Sequence, residues 1–418
     1  MGMEKDMSEN GLENDLHGWF PRECIPIDGQ GQNNQLQLMA WESFTRQTLP
    51  NRKMNDWKRV DLTQIPWQKQ DGSIRSGKAN TSNWQVEDIE TLKNLGVFVG
   101  SFQDAFENIP DIVTKVIDPD RDIFAAMAMA FASAGVFIRI PAGLKLKDPI
   151  HIEPIGDPAR LSLFNHVIWL ERGAEAHIIL EHSQPGKAGV DPSVSNGNIG
   201  ILLDEEAKLN FVEITAGSDL DWKISHEKAV MDTDSQLDWV IYALDGRFNK
   251  HFIQSDLSGQ GGVVKMAGLY LPSGKQQVEF NTRQNHFKAN TKSDLLYKGV
   301  LLDDSQSLFS GMIHVAPGAV KTDGYQANRN LIIGANAHAD TLPGLEILTD
   351  DVRCTHGATV GKIDPTEQFY LQSRGLDPMD AQKLIIQGFL DPIVQLLPDE
   401  KHRSRLQDTI DRKLSGHG

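Results

Sequence analysis

The stretch IGILLDEEAKLNFVEITAGSDLDWKISHEKAVMDTDSQLDWVIY, residues 199–242, carries the pattern that decides the fold. Short runs rich in aliphatic and aromatic residues, such as Leu209–Ile214 and Trp239–Tyr242, alternate with turns made of Asp, Gly and Ser. The same texture extends from Gly135 to Ile333, and no long amphipathic helical pattern interrupts it. We therefore expect consecutive strands, and folds built from βαβ units are disfavoured.

A loose internal repeat accompanies these strands. Small or polar residues that follow an acidic residue lead into a β run at Ala174, Ala207, Ser235 and Ser305. Their spacings are 33, 28 and 70 residues, and the last is close to two units. Periods of about 20 to 50 residues are typical of solenoids and propellers, but a propeller blade needs roughly 40. The shorter units favour a stacked β-helix or an irregular sandwich.

Composition changes along the chain and predicts four segments. Residues 1–35 are acidic and polar, do not resemble a signal or transit peptide, and are predicted to form a disordered leader. Residues 36–134 are predicted to be an N-terminal helical region and residues 135–368 the β core. Residues 369–418 are predicted to be a C-terminal helical region.

Three helices are predicted in the N-terminal region from apolar spacing and from breakers. They are an amphipathic helix at Leu36–Leu49, a second at Val86–Leu95 opened by Asn83 and Trp84, and a buried Ala- and Met-rich one at Asp120–Ala134.

In the C-terminal region, Asp377 is a good N-cap and Pro378 suits the first helical position. An apolar stripe follows at helical spacing, formed by Ala381, Leu384, Ile385, Gly388 and Phe389. Such a stripe predicts either a cap on the repeat body or a docking site for another protein, and composition does not separate the two.

Charge and cysteine content restrict the function classes. The chain has 418 residues and a formal net charge of −16 without a local basic stripe, so a nucleic-acid partner is not expected. No apolar run approaches the roughly 18 residues that a membrane span needs. Only Cys24 and Cys354 occur, which predicts no disulfide framework and a reducing, cytoplasmic setting. Cys24, in the polar leader, is interpreted as structural.

The most informative stretch for chemistry is LEILTDDVRCTHGATVGKIDPTEQF, residues 345–369. If Leu348–His356 is extended, Asp350, Cys354 and His356 share one strand face. A thiolate beside an imidazole suits zinc, copper or iron–sulfur chemistry, and an imidazolium would lower the pKa of the thiol. Two ligands do not complete a tetrahedral site. The candidates for the remaining ligands are His338, Asp340 and Glu346, or residues of a partner chain.

Enzyme signatures are missing from the sequence. It contains no GxxxxGK[ST] phosphate loop, no GxSxG elbow and no strand-anchored GxGxxG, so ATP binding by this chain alone is not expected. The remaining histidines show no metal-ligand spacing and are predicted to lie at the surface or in turns: His151, His166, His177, His182, His226, His251, His286 and His314.

Several long motifs in this sequence carry a family resemblance. They are LPNRKMNDWKRVDL (49–62), IPAGLKLKDPIHI (140–152), VKTDGYQANRNLIIG (320–334), PGLEILTDDVRCTHGATVGKID (343–364) and FYLQSRGL (369–376). Together they resemble the SufB/SufD family of the SUF iron–sulfur assembly machinery over about residues 36 to 415. Gly357 stands where SufB has a glutamate, and the SufB cysteine upstream, near 334–340, is missing. Both departures indicate the SufD branch.

The resemblance implies a mainly β fold, a right-handed parallel β-helix between two helical regions. It implies a non-enzymatic scaffold that pairs with SufB through the β-helix and carries the SufC ATPase on its C-terminal helices, where Leu384, Ile385 and Phe389 are the expected contacts. A transient iron–sulfur cluster would form at the contact with SufB, using His356 and, less directly, Cys354. No cofactor is expected to stay bound to the isolated chain. In the absence of SufB, the chain is expected to form a homodimer.

Two enzyme hypotheses remain as alternatives. A pectin-lyase-like β-helix hydrolase or lyase would need clustered Asp, Arg or Lys on one face, for which Asp350 and Arg353 are the only local candidates. A mononuclear metalloenzyme would use His338, Cys354 and His356.

Overall fold

The computed structural model describes residues 16–25, 35–67, 83–132, 134–155, 161–182 and 191–415. The chain is mainly β, with 42% strand and 27% helix, and forms a β-solenoid of about seven turns with helices at both ends. The predicted parallel β-helix between helical regions is confirmed, and the irregular sandwich is excluded.

Two sheets form the walls of the coil within the described residues. Sheet A contains, in spatial order, β1 (Asn83–Val86), β4 (Ile150–Ile155), β6 (Glu175–Glu181), β8 (Lys208–Thr215), β10 (Gln236–Ala243), β12 (Val263–Tyr270), β14 (Lys292–Leu301), β16 (Thr322–Ile332) and β18 (Val352–Gly361). Sheet B contains β17 (His338–Ile347), β15 (Gln306–Val315), β13 (Gln277–His286), β11 (Phe248–Leu257), β9 (Trp222–Met231), β7 (Val194–Leu203), β5 (Leu161–Leu170), β3 (Val136–Ile140) and β2 (Phe98–Ser101). All neighbours are parallel except the antiparallel pairs β1–β4 and β2–β3, which lie at the start of the coil.

Alternation along each strand separates the inside of the coil from its outside. In β8 and β10, Leu209 and Trp239 point into the space between the two sheets, which we call the lumen, and join its apolar core. Val212 and Val240 point outward and pack with the C-terminal helices. Because both faces are covered, these parallel strands read as nearly continuous apolar runs.

The internal repeat marks one corner of the coil. Ala174, Ala207 and Ser235 each follow a turn residue with positive φ and lead into β6, β8 and β10 of sheet A. The same corner recurs before Val263, Lys292 and Thr322, so the period is one full turn. Ser305 precedes β15 of sheet B and therefore belongs to the opposite corner. The predicted repeat is thus present for three members, whereas Ser305 lies at the other corner and is not part of the same series.

The N-terminal helices are α1 (Gln35–Arg46), α2 (Ile89–Asn94), α3 (Phe102–Asn108), α4 (Pro110–Val116) and α5 (Ile123–Phe131), with 3-10 turns at Arg22–Cys24, Asn55–Trp57 and Leu62–Gln64. All but α2 belong to the apolar cluster on the outer face of sheet B, whereas the buried Leu92 of α2 joins the core of the lumen. The side-chain amides of Asn165, Asn196 and Asn198 donate to main-chain carbonyls of α5 at 2.8 to 3.1 Å. Such bonds fix a wholly apolar helix, whose packing alone would leave its register loosely defined.

Two parts of the N-terminal region differ from expectation. Asn83 and Trp84 begin strand β1, and α2 starts only at Ile89, because the β4 edge offers them an antiparallel partner. Within the predicted disordered leader, residues 16–25 pack on the helices with Leu16, Phe20 and Ile25 buried, and Cys24 lies half-buried beside them. Residues 1–15 and 26–34 lie outside the described residues.

The C-terminal helices are α6 (Pro365–Ser373), α7 (Pro378–Val394) and α8 (Glu400–Ser415). Asp364 and Asp377 cap the first two through side-chain bonds to main-chain N–H groups, as predicted for Asp377. α7 and α8 cover the outer face of sheet A.

Candidate functional site

The last turn of the coil ends in two strands that pair on one side only in the described part of the chain. β17 pairs with β15, and β18 pairs with β16. Their outer edges present main-chain N–H and C=O groups that another strand can pair with. Four large apolar side chains are exposed on the same turn: Leu342, Ile347, Leu348 and Val360. We call β17, β18 and these four side chains the open end.

Cys354 and His356 both lie on β18 at this open end. They stand opposite Gly324 and Gln326 of β16, and the two-residue repeat of a strand puts them on one face. Cys354 is half-buried against Ile313 and its neighbours, whereas His356 is exposed. A half-buried thiol therefore lies next to an accessible imidazole at the edge of the coil.

The environment of the Cys354 thiol differs from the expected one. Burial raises the pKa of this thiol, the negative charge of Asp323 adds to the rise, and the Gly324 N–H opposes it. A Cβ at position 324 would come 3.2 Å from the Cys354 Sγ, so glycine is what lets the sulfur lie over β16. The predicted lowering of the thiol pKa by a neighbouring imidazolium is wrong for this structure. His356 is thus the more available metal ligand of the two.

His338 does not join Cys354 and His356. Its Nε2 lies 3.2 Å from Asp340, whose carboxylate also pairs with Arg59 at 2.8 Å. Among the described residues, the group of three metal-ligand side chains within 4.8 Å of one another does not include any residue of β17 or β18. The structure therefore does not bring together the ligands of the mononuclear metalloenzyme hypothesis.

The lyase hypothesis also lacks a residue cluster. β18 begins at Val352, so Asp350 lies in the preceding turn and not on the predicted strand face. Arg353 is exposed and makes its ion pair with Asp323 at 2.6 Å. Asp350 and Arg353 thus do not form the acid–base arrangement that such chemistry requires.

The apolar stripe of α7 is rotated from its predicted position. The residues of α7 that are buried against sheet A are Ala381, Ile386, Leu390, Ile393 and Val394. Leu384 is 48% exposed, and Ile385 lies beside it in a shallow depression shared with Tyr370 and Leu371 of α6. Phe389 is partly buried, with the Lys298 ammonium 4.7 Å from its ring centre. The helix therefore has two apolar faces, one covered and one exposed.

The covered face makes the C-terminal helices part of the fold. Their apolar residues pack with outward-facing residues of sheet A, among them Val212, Val240, Leu269 and Val300. On α8, His402 and Arg405 both bond to the buried carboxylate of Glu181 in β6, at 2.9 and 3.0 Å. A chain ending near Gly375 would expose this face of sheet A to water, so the C-terminal helices cannot be removed as a separate unit.

A second polar group, missed from the sequence, lies inside the lumen. The prediction of surface or turn positions is wrong for His166, His226, His251 and His286, which are buried. His251 shares the lumen with Glu213 and Glu227, also fully buried. The sequence KLNFVEIT of β8 contains a signal for this group. Glu213 follows Leu209 and Phe211 at the two-residue spacing of side chains that point into the lumen.

Comparison with known proteins identifies the family. The model of the SUF system iron–sulfur cluster assembly SufBD core domain matches residues 155–389, more than half of the chain. The chain belongs to the SufBD family. The matched region begins at the end of β4 and ends in α7, so it includes the open end and the exposed apolar residues Leu384 and Ile385 of α7.

Relatives within the SufBD family match between 74% and 98% of this chain. The iron–sulfur cluster assembly protein SufD of Escherichia coli (strain K12) is 27% identical over 98% of both chains. SufD of Bacillus subtilis (strain 168) is 27% identical over 78% of this chain and 76% of its own. SufB of the same organism is 23% identical over 74% and 68%. Family membership makes this chain a component of SUF iron–sulfur cluster assembly.

None of the helices in the described residues combines the length and the apolar character needed to cross a membrane.

Proposed function

We propose that this chain is a non-enzymatic scaffold subunit of a SUF complex, which pairs with SufB through the open end and contributes His356 to a transient iron–sulfur cluster. The observation that carries the proposal is the position of His356, exposed on β18 where the coil ends in an unpaired edge. A second β-helix that adds its own last strand there would cover the imidazole and supply the missing ligands. The relationship to proteins named SufD and SufB supports this pairing.

In this proposal Cys354 has a secondary role. A protonated, half-buried thiol is a poor metal ligand and a poor sulfur nucleophile until its proton is removed. Arrival of a metal ion or a partner side chain at His356 would favour the thiolate. Cluster binding would therefore begin at His356 and reach Cys354 afterwards.

The exposed apolar face of α6 and α7 supports a further part of the proposal, the docking of the SufC ATPase. Leu384, Ile385 and Tyr370 form that face, and Phe369 is 71% exposed next to it. Apolar surface of this kind typically marks an interaction site. ATP hydrolysis would belong to SufC, and movement of docked SufC would change the contact at the open end.

The decisive experiment replaces His356 with Ala in cells that depend on this chain for cluster assembly. We expect H356A to abolish maturation of iron–sulfur proteins while the purified variant keeps the thermal unfolding temperature of the wild type. His338→Ala is the matched control, because His338 is also exposed at the open end but bonds to Asp340. Full complementation by H356A would overturn the role of the imidazole. Equal loss in H338A would indicate a general disturbance of the open end.

A further inference from the structure

The buried polar group of the lumen spans both walls of the coil. Glu213 projects from β8 of sheet A, whereas Glu227 and His251 project from the neighbouring strands β9 and β11 of sheet B. One potential ligand atom of each lies within 4.8 Å of the other two, and all three residues are at most 2% exposed. The group therefore closes across the lumen, where the side chains of Lys223 and His182 are also buried, far along the chain from the β18 residues.

The bonds within the group leave ligand atoms unused. The Nδ1 of His251 lies 2.8 Å from one oxygen of Glu227, and Ser225 donates to that oxygen at 2.5 Å. Within the described part of the chain, the Nε2 of His251 is buried without a hydrogen-bond partner, and the second oxygen of Glu227 has none besides the Glu213 carboxyl group. Burial of an unpaired polar atom is unfavourable. A bound cation, which accepts lone pairs from oxygen and nitrogen, would satisfy these atoms.

Glu213 is held in place from two sides. Trp239 donates to one of its oxygens at 2.9 Å, and the Nε2 of His182 lies 3.0 Å from the other. The Nδ1 of His182 is another buried atom without a partner. A carboxylate positioned by an indole and an imidazole resembles the outer-shell support that metal-binding carboxylates receive in proteins.

Protonation states in the lumen leave the imidazoles available as ligands. Burial lowers the pKa of His182 and His251 far below the usual value, and the charge of Lys223 adds to the effect. Both rings are therefore neutral, which is the form that binds metals. Burial also raises the pKa of Glu213 to about 8, with the charge of Glu227 adding to the rise. Without a cation, the two carboxylates share a proton.

We propose that Glu213, Glu227 and His251 form an internal binding site for one divalent transition-metal ion, with His182 as an adjacent imidazole. Two carboxylate oxygens and imidazole nitrogen suit Zn²⁺, Fe²⁺ or Mn²⁺, and zinc binds most tightly of these in the Irving–Williams order. The potential ligand atoms of the three residues lie within 4.8 Å of one another, so small side-chain shifts would bring each to about 2.1 Å from one ion.

This site is independent of the proposed role of the open end, and the experiment keeps the two apart. The full-length chain carrying both C354S and H356A is stripped with chelator, titrated with Zn²⁺ and analysed by inductively coupled plasma mass spectrometry. We expect about one tightly held ion per chain, and at least tenfold weaker binding when Glu227→Gln or His251→Gln is added. His286→Gln is the matched control, because His286 is equally buried in the lumen but both of its ring nitrogens are bonded, at 2.8 and 2.9 Å.

The wild-type chain provides a readout that survives a folding failure of any variant. Zn²⁺ should raise its unfolding temperature, and Co²⁺ should give a spectrum typical of oxygen and nitrogen ligands. A sulfur-to-cobalt charge-transfer band in the wild type would report an ion at Cys354, so Co²⁺ is also added to the C354S/H356A chain, where absence of the oxygen and nitrogen spectrum would overturn the proposal. Absence of tight zinc binding in the C354S/H356A chain would also overturn the proposal. Glu213 and Glu227 would then be only a pair of carboxyl groups that share a proton.

Discussion

The phenolic hydroxyl of Tyr242, on the outward face of β10, donates a 2.8 Å hydrogen bond to the main-chain carbonyl of Ile393 near the end of α7. This bond crosses from the coil to the C-terminal helices, 151 residues later in the chain. The last carbonyls of a helix lack an i+4 partner, and this buried one accepts from the Leu396 N–H at 3.1 Å as well as from Tyr242. Tyr242 therefore connects the end of α7 to the wall that it covers.

Replacing Tyr242 with Phe should lower the free energy of unfolding by about 0.5 to 1.5 kcal/mol, because the buried Ile393 carbonyl would lose one donor and keep the Leu396 N–H. Urea unfolding of the purified chain measures the change. Tyr370→Phe, on the exposed face of α6, is the control and should be neutral. An unchanged Y242F variant would mean that the Leu396 N–H alone satisfies this carbonyl.

The contact between His402 and Glu181 predicts a pH dependence of stability. The hydrogen bond that His402 donates to the Glu181 carboxylate raises the pKa of His402, and burial opposes this rise. The His151 ring stacks on the His402 ring with 5.0 Å between the ring centres. His151 is present in both the wild type and the His402→Gln variant. Because the folded-state pKa is raised, this contribution is complete below the unfolded pKa and is lost as pH rises through the folded pKa. His402→Gln should thus destabilise the chain more at about pH 6 than at about pH 9, in urea unfolding. An equal loss at both pH values would contradict the charged pair.

Replacing Leu384 with Asp should weaken SufC binding at least tenfold, about 1.4 kcal/mol, because a charge would be buried in the proposed interface. Isothermal calorimetry with purified SufC measures the affinity. Met39→Asp is the matched control, since Met39 is 50% exposed on α1 at the other side of the molecule. Point variants are preferred to truncation because α7 and α8 cover an apolar face of sheet A. Unchanged affinity in L384D would place the SufC site elsewhere.

Replacing Leu342 with Asp should reduce pairing with SufB by a similar factor, since Leu342 is the most exposed large apolar side chain of the open end. Analytical ultracentrifugation of the mixed subunits measures the association. Leu220→Asp, 42% exposed in the turn between β8 and β9, should pair normally. If L342D instead abolished self-association and left SufB pairing intact, the open end would be a homodimer surface.

The local sequence pattern was sufficient to predict strands with regular apolar runs and helix ends with a capping residue. The β runs of the core, the Asp377 cap and the strand containing Cys354 and His356 were all predictable, because strand period and cap chemistry are properties of neighbouring residues. The family motifs added the function class. Turn residues did not show which sheet the next strand joins. Both corners of the coil use the same acidic and small residues, so Ser305 could not be distinguished from the residues before the strands of sheet A.

Only the tertiary structure decided which face of each element is covered. Leu384 and Ile386 are equally apolar in the sequence, yet sheet A buries only Ile386, since the crossing of α7 over the coil sets its rotation. Glu213 and His251 are far apart in the chain and meet because successive turns of the coil stack them across the lumen. The amino-acid sequence by itself determined strands, turns and caps through short-range sterics and periodicity. The burial that raises the Cys354 pKa and encloses the lumen group arises from contacts between turns, which local sequence does not encode.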